Sequence, residues 1–179
     1  EEDSRVFIDG SVDLHEEVAV VKATLKSRHS STQAVLSVAE MINGSTQTAV
    51  MKCTDRVTLE RLAFNFPISV ISGHDSLIGS SGDLEIFTCS FKADQSVESA
   101  ALPFALIHLS SSGNVTLQSV NVSFLSFTTH SAMEIESPLD QSDLLISLSS
   151  FSSIEQESGL SSILNCSEDI QLQIAHSSF

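Results

Sequence analysis

Hydrophobic residues along this chain recur in short alternating runs. In Val57 to Phe66 (VTLERLAFNF) the last apolar positions are Leu62, Phe64 and Phe66. In Gly82 to Phe91 (GDLEIFTCSF) they are Phe87, Cys89 and Phe91, and in Val115 to Phe124 (VTLQSVNVSF) they are Val120, Val122 and Phe124. A period of two places such residues on one face of a β-strand. Ser142 to Phe151 (SDLLISLSSF) and Ile170 to Phe179 (IQLQIAHSSF) take the same frame, so that all five segments carry Leu at the third place and Phe at the tenth. Between Leu59 and Leu62, and again between Leu117 and Val120, the apolar spacing widens to three. That change of phase predicts a bend between two short strands.

Each coil carries another alternating pair: Met51 with Cys53, Ile107 with Leu109, Met133 with Ile135, Leu164 with Cys166. Ser80-Ser81-Gly82-Asp83, Ser110-Ser111-Ser112-Gly113 and Pro138-Leu139-Asp140-Gln141 separate the runs as turns. Phe66, Phe91, Phe124, Phe151 and Phe179 follow one another at uneven intervals, as coils with variable loops would place them. The stretch Val50 to Thr54 reappears as Ile163 to Ser167, at the same offset that separates Phe66 from Phe179.

These regularities predict an all-β fold, a right-handed parallel β-helix solenoid of about six coils of roughly 28 residues. One coil cannot bury its own apolar face, so neighbours stack at about 4.8 Å, and the five Phe are expected to form an interior ladder. Residues 50–179 read as regular coils that continue beyond the C-terminus in the parent chain. Residues 1–49 read as irregular first coils, within which Gln33 to Ile42 fits a helix as well as a strand. With Phe179 on an open strand edge, the segment expressed alone is expected to associate end to end or to be poorly stable. A leucine-rich repeat shares the period but lacks the Leu-x-x-Leu-x-Leu-x-x-Asn signature, and a β-sandwich gives no reason for the frame to recur.

The Leu-to-Phe frame, with its Cys89-Ser90-Phe91, resembles the pectin-lyase-like group of parallel β-helices. It is most similar to the Ser-rich repeats of large protist surface proteins, and more loosely to chlamydial polymorphic outer-membrane proteins. The resemblance covers Val50 to Phe179; it implies the fold and a surface setting and carries no catalytic residue across.

Composition narrows the function. A net charge of −15, from 23 acidic residues against 8 basic ones, repels nucleic acid and anionic membranes alike. No apolar run approaches the roughly 20 residues needed to cross a bilayer, so no membrane insertion by this segment is expected. The N-terminus shows no signal core, as at a processing boundary. Four of the five Asn stand in glycosylation sequons, Asn43, Asn114, Asn121 and Asn165, and the alternation aims Asn121 outward. Cys53 and Cys166 hold one frame position four coils apart, about 19 Å, beyond the roughly 7 Å a disulfide spans. Cys89 reads as a small buried hydrophobe in the position of Phe64 and Val122.

Polysaccharide cleavage needs carboxylates within about 5 to 10 Å, or an acidic Ca²⁺ cluster with a base. Asp83 and Asp143 share a frame position but sit two coils apart, with Thr116 between. Gly73-His74-Asp75 is only a fragment of a hydrolase string, and His74, His108, His130 and His176 share no frame position. The chain has no Trp or Tyr to offer a sugar platform. No catalytic residue, metal or cofactor is expected. The expected function is that of a non-catalytic acidic spacer or display rod in a large extracellular or cell-surface protein. Its partners are further coils of the same polypeptide and a protein or glycan at the cell surface. A polysaccharide lyase or glycoside hydrolase is the alternative.

Overall fold

The computed structural model describes residues 4–43, 49–94, 98–110, 113–136, 142–156, 163–166 and 170–179. The turn expected at Pro138 to Gln141, and the middle of the one at Ser110 to Gly113, lie outside the described residues. What is described forms a parallel β-solenoid of about five turns, without a helix among the described residues. The chain opens with β1 (Ser4–Ile8), β2 (Ser11–Glu16), β3 (Val18–Ser27) and β4 (Ala34–Asn43). Then come β5 (Ala49–Glu60), β6 (Leu62–Phe66), β7 (Ser76–Ser80), β8 (Leu84–Phe87), β9 (Ser90–Ala93) and β10 (Ala100–Leu102). Next are β11 (Ala105–Leu109), β12 (Val115–Gln118), β13 (Asn121–Phe127) and β14 (Met133–Ile135). The last are β15 (Ser142–Ser147), β16 (Ser150–Gln156), β17 (Leu164–Cys166) and β18 (Ile170–Ala175).

These strands line three faces. The first stacks the leading halves of β3 and β5 on β7, β11, β14 and β17. On the second, β1, the trailing halves of β3 and β5, β8, β12, β15 and β18 follow one another. The third holds β2, β4, β6, β9, β13 and β16, with β10 beside the far half of β13. Because β3 and β5 run through both the first and second faces, those two form one 11-stranded sheet, and the third is a 7-stranded sheet. The joint within each long strand is a left-handed residue, Lys22 at φ 44° and Asp55 at φ 60°.

Along the second face Val57 is followed by Leu84, Val115, Leu144 and Leu172, close to the ~28-residue spacing of the solenoid at every step. Earlier turns are less even: Ser4 pairs with Ala23 across a short coil, and Val18 with Met51 across a long one. The Gln33 to Ile42 ambiguity resolves as strand, because β4 lies between β2 and β6 in the third sheet and buries Ala34, Leu36 and Val38 inward.

The bend between the second and third faces has one cause, repeated. Arg61, Thr88, Ser119, Leu148 and His176 all adopt left-handed backbone, with φ between 50° and 56°. They stack coil on coil: Arg61 N–H donates to Phe87 O, Thr88 N–H to Gln118 O, Ser119 N–H to Ser147 O, and Leu148 N–H to Ala175 O. A non-glycine residue in this region costs about 1 kcal/mol or more, and the ladder on both sides of the corner holds it there. The inserted residue is why apolar spacing widens to three between Leu59 and Leu62.

Counting from that corner corrects the expected Phe ladder. The residue three places past the bend is Phe64, Phe91, Val122, Phe151 or Phe179, and the pairing joins them in that order, with Leu36 preceding Phe64. Phe66 lies opposite Ala93 in the neighbouring column, and Phe124 takes left-handed backbone within β13 at φ 58° and is only partly buried. The Phe-based frame thus slips by two places in the coils that begin at Val57 and Val115. A slip of two leaves every apolar residue on the inner face, so alternation alone cannot detect it. The rings of Phe64 and Phe91 stack at 4.7 Å and 5°, and those of Phe151 and Phe179 at 4.8 Å and 1°.

The Cys-Ser-Phe motif also has a structural account. Register places Cys89 opposite Leu62 rather than Phe64. Leu62 N–H donates to Cys89 Sγ at 3.4 Å, and the thiol donates to Phe87 O. Ser149 Oγ accepts Val120 N–H at 3.1 Å and donates to Ser147 O, while Ser177 Oγ accepts Ser149 N–H and donates to Ala175 O. In each coil the first residue of [Cys/Ser]-Ser-Phe satisfies an amide of the preceding corner, the second faces out, and the third fills the core column. Replacing Cys89 with Ala leaves a buried N–H unpaired and should cost about 1–3 kcal/mol, whereas Cys89→Ser should hold nearly wild-type stability in urea unfolding. Equal losses for both would show that the thiol only fills space.

Candidate functional site

The outward positions of the first face align Lys52, Gly79, His108, Glu134 and Asn165 in one column. Gly79 interrupts that column, because a Cβ there would lie 2.5 Å from Ala49 Cβ. The result is a shallow groove of about 320 Å³, flanked by Lys52, Asp75 and His108 and by the hydroxyls of Thr54, Ser81 and Ser110. This is near the lower end of small-molecule sites, and no Phe lines it.

Lys52 and the histidines on this face each stand against a carboxylate. Lys52 Nζ donates to Glu17 Oε2 at 2.7 Å. The other oxygen of Glu17 lies 3.4 Å from Nε2 of His74, a contact not aligned as a hydrogen bond. The His74 ring is buried and shares a 2.7 Å hydrogen bond with Ser72 through Nδ1. Further along the face His108 Nε2 stands 3.7 Å from Glu136, and His130 Nδ1 3.2 Å from Glu134. Among the described residues no three His, Cys, Asp or Glu side chains converge as metal ligands.

At the corner between the first and second faces, Asp83 and Asp143 are joined through Asn114, not Thr116 as the slipped frame implied. Leu84, Val115 and Leu144 stack in register, which aligns the residues before them. Asn114 N–H donates to Asp83 Oδ1 at 2.9 Å, and Asp143 N–H donates to Asn114 Oδ1 at 3.1 Å. The two carboxylates are therefore about two strand spacings apart, roughly 10 Å, and Asp83 is engaged as a cap on the next coil. On the second face Glu85 accepts from Arg56 at 2.7 Å and from Thr58 at 2.9 Å, binding adjacent coils.

Of the sequon residues, Asn114, Asn121 and Asn165 are exposed, on three different parts of the perimeter; Asn43 ends β4, and its side chain lies outside the described residues. Asn121 stands outward between buried Val120 and Val122. A glycan on Asn114 Nδ2 leaves its Oδ1 free to accept from Asp143.

All three cysteines are free. Cys53, Ser80, Leu109, Ile135 and Cys166 form a single column, so Cys53 and Cys166 stand four coils apart. Burial pushes the thiols of Cys53 and Cys89 up to about 12, which leaves them protonated and inert at neutral pH, while Cys166 is exposed.

No known protein family matches the sequence, and comparison with characterised proteins and with solved structures likewise finds no match to the chain.

Proposed function

We propose that this chain is a non-catalytic structural segment, an acidic spacer or display rod of a larger extracellular or cell-surface protein of the pectin-lyase-like kind. The solenoid winds right-handed, the hand that parallel β-crossover-β connections take almost without exception. One observation carries the reading: three outward carboxylates, those of Glu17, Glu85 and Asp83, are spent on binding coil to coil. Glu17 holds Lys52, Glu85 holds Arg56 and Thr58, and Asp83 caps Asn114. Glycans on Asn114, Asn121 and Asn165 would cover the perimeter and suit a secreted setting, and the partners are a surface protein or glycan rather than nucleic acid.

Two measurements test it together. Made in a eukaryotic secretory system, the chain should leave the cell and lose apparent mass on treatment with an N-glycosidase, with each of the changes Asn114→Gln, Asn121→Gln and Asn165→Gln removing one step. Incubated with acidic and neutral polysaccharides, with and without Ca²⁺, it should release no reducing ends and no unsaturated uronate. Turnover abolished by Asp75→Asn or Lys52→Ala would instead establish the lyase or hydrolase reading.

A further inference from the structure

A second groove borders the corner that carries Asn114. It lies on the outside of the second face, holds about 250 Å³, and is lined by Asn114, Thr116, Asp143, Leu145, Gln171 and Gln173, with the backbone of Val115 and Leu144 beneath. Pairing explains its composition. Thr116, Leu145 and Gln173 are successive outward residues of β12, β15 and β18, and Asn114, Asp143 and Gln171 precede each of them by two residues. On the preceding coil Glu85 stands in register with Thr116 but is engaged by Arg56 and Thr58. The groove opens away from the face, so a following coil would lengthen it and leave it uncovered.

Two features single out its occupant. Asn114 and Thr116 are the first and third residues of a glycosylation sequon, and both line the groove. The Asn114 side chain is also held in place: its Oδ1 accepts Asp143 N–H at 3.1 Å, and its main-chain N–H donates to Asp83 Oδ1 at 2.9 Å, so a sugar on Nδ2 starts from a fixed point. The rest of the lining suits an N-acetylhexosamine. Leu145, half-buried, offers an apolar surface to the C–H face of a sugar ring. Thr116 and the amides of Gln171 and Gln173 both donate and accept, as sugar hydroxyls and an acetamido group require. No Lys or Arg lines the groove, which disfavours an anion. We infer that the first sugar of an N-glycan on Asn114 lies in this groove against Leu145 and fastens the coils of β12, β15 and β18 from outside. The docking rests on the glycan-bearing setting proposed above and goes beyond it, because the sugar becomes a packed part of the fold.

A chain carrying Asn43→Gln, Asn121→Gln and Asn165→Gln keeps a single sequon and tests the docking by thermal unfolding. Made in a eukaryotic secretory host and in bacteria, the two products differ in the sugar. The secreted form should melt about 2–4 °C higher, the shift that one good contact gives a chain of this size. It should keep that increment when an endoglycosidase trims the glycan to one N-acetylglucosamine. Leu145→Ser in the same background should abolish the increment, and Gln173→Ala, at an exposed position that does not unsettle the fold, should reduce it. Equal melting of the two products, an increment lost on trimming, or an increment that either substitution leaves unchanged would each overturn the inference. An unmodified Asn114 in the secretory host would remove it together with the glycan-bearing reading, whereas a modified Asn114 without an increment would remove the docking alone.

Discussion

Phe91→Ala should destabilise the fold by about 3–5 kcal/mol, the range for removing a buried aromatic side chain from a packed core. Phe91 is 1% exposed, stacks on Phe64 at 4.7 Å, and has Val122 as its neighbour on the other side. Its truncation opens a void between two coils that the ladder hydrogen bonds hold at fixed spacing, so collapse cannot refill it. Phe124→Ala is the informative comparison. That residue takes left-handed backbone and its ring is only partly buried, so its loss should cost well under half as much. Urea unfolding followed by circular dichroism ranks the two. Were Phe124 to prove as costly as Phe91, the corner-based register would be wrong and the five-Phe frame would stand in its place.

Gly82→Ala should be nearly as damaging, for a different reason. A Cβ at Gly82 would lie 2.1 Å from Asp55 O and 2.8 Å from its carbonyl carbon, and a Cβ at Gly113 would in turn come within 2.6 Å of Gly82 O. The obstacle is backbone, and relief requires prising adjacent coils apart. Overpacking of this kind costs about 3 kcal/mol, or a fall in Tm of roughly 6–12 °C for a chain of this size. Gly10 supplies the control: its φ is +81° but nothing lies within 4 Å of its notional Cβ. Gly10→Ala should therefore carry only the left-handed penalty of about 1–2 kcal/mol. Thermal unfolding that ranked Gly10→Ala above Gly82→Ala would refute the close approach of coils at that corner.

Much of this architecture was legible in the residues, and the part that was not has a physical cause. The pairs Met51/Cys53, Ile107/Leu109, Met133/Ile135 and Leu164/Cys166 fall in register on the first face as their pattern implied. There the strands are short and no bulge intervenes. The Phe frame failed where an even slip keeps the inward set inward, and the left-handed Phe124 supplied a decoy two places past Val122. The clue lay in the widened spacing at Leu59 to Leu62 and Leu117 to Val120, which marks the corner; aligning segments on it instead of on their Phe recovers the observed columns. The groove was invisible because it depends on Gly79 facing Lys52 and His108 from adjoining coils, which needs the first-face register. Lys52 and His74, the partners of Glu17, come from later coils, and an ion pair between residues so far apart in the chain leaves no periodic trace.

The left-handed corner is occupied by Arg61, Thr88, Ser119, Leu148 and His176, residues sharing neither charge, size nor polarity. Thr88, Ser119, Leu148 and His176 are all exposed. The coil therefore fixes a torsion angle at this place and leaves the chemistry open. Along one ridge of the molecule runs a row of freely exchangeable groups about 4.8 Å apart, a ruler on which five side chains of any character can be set out at even intervals without disturbing what lies beneath.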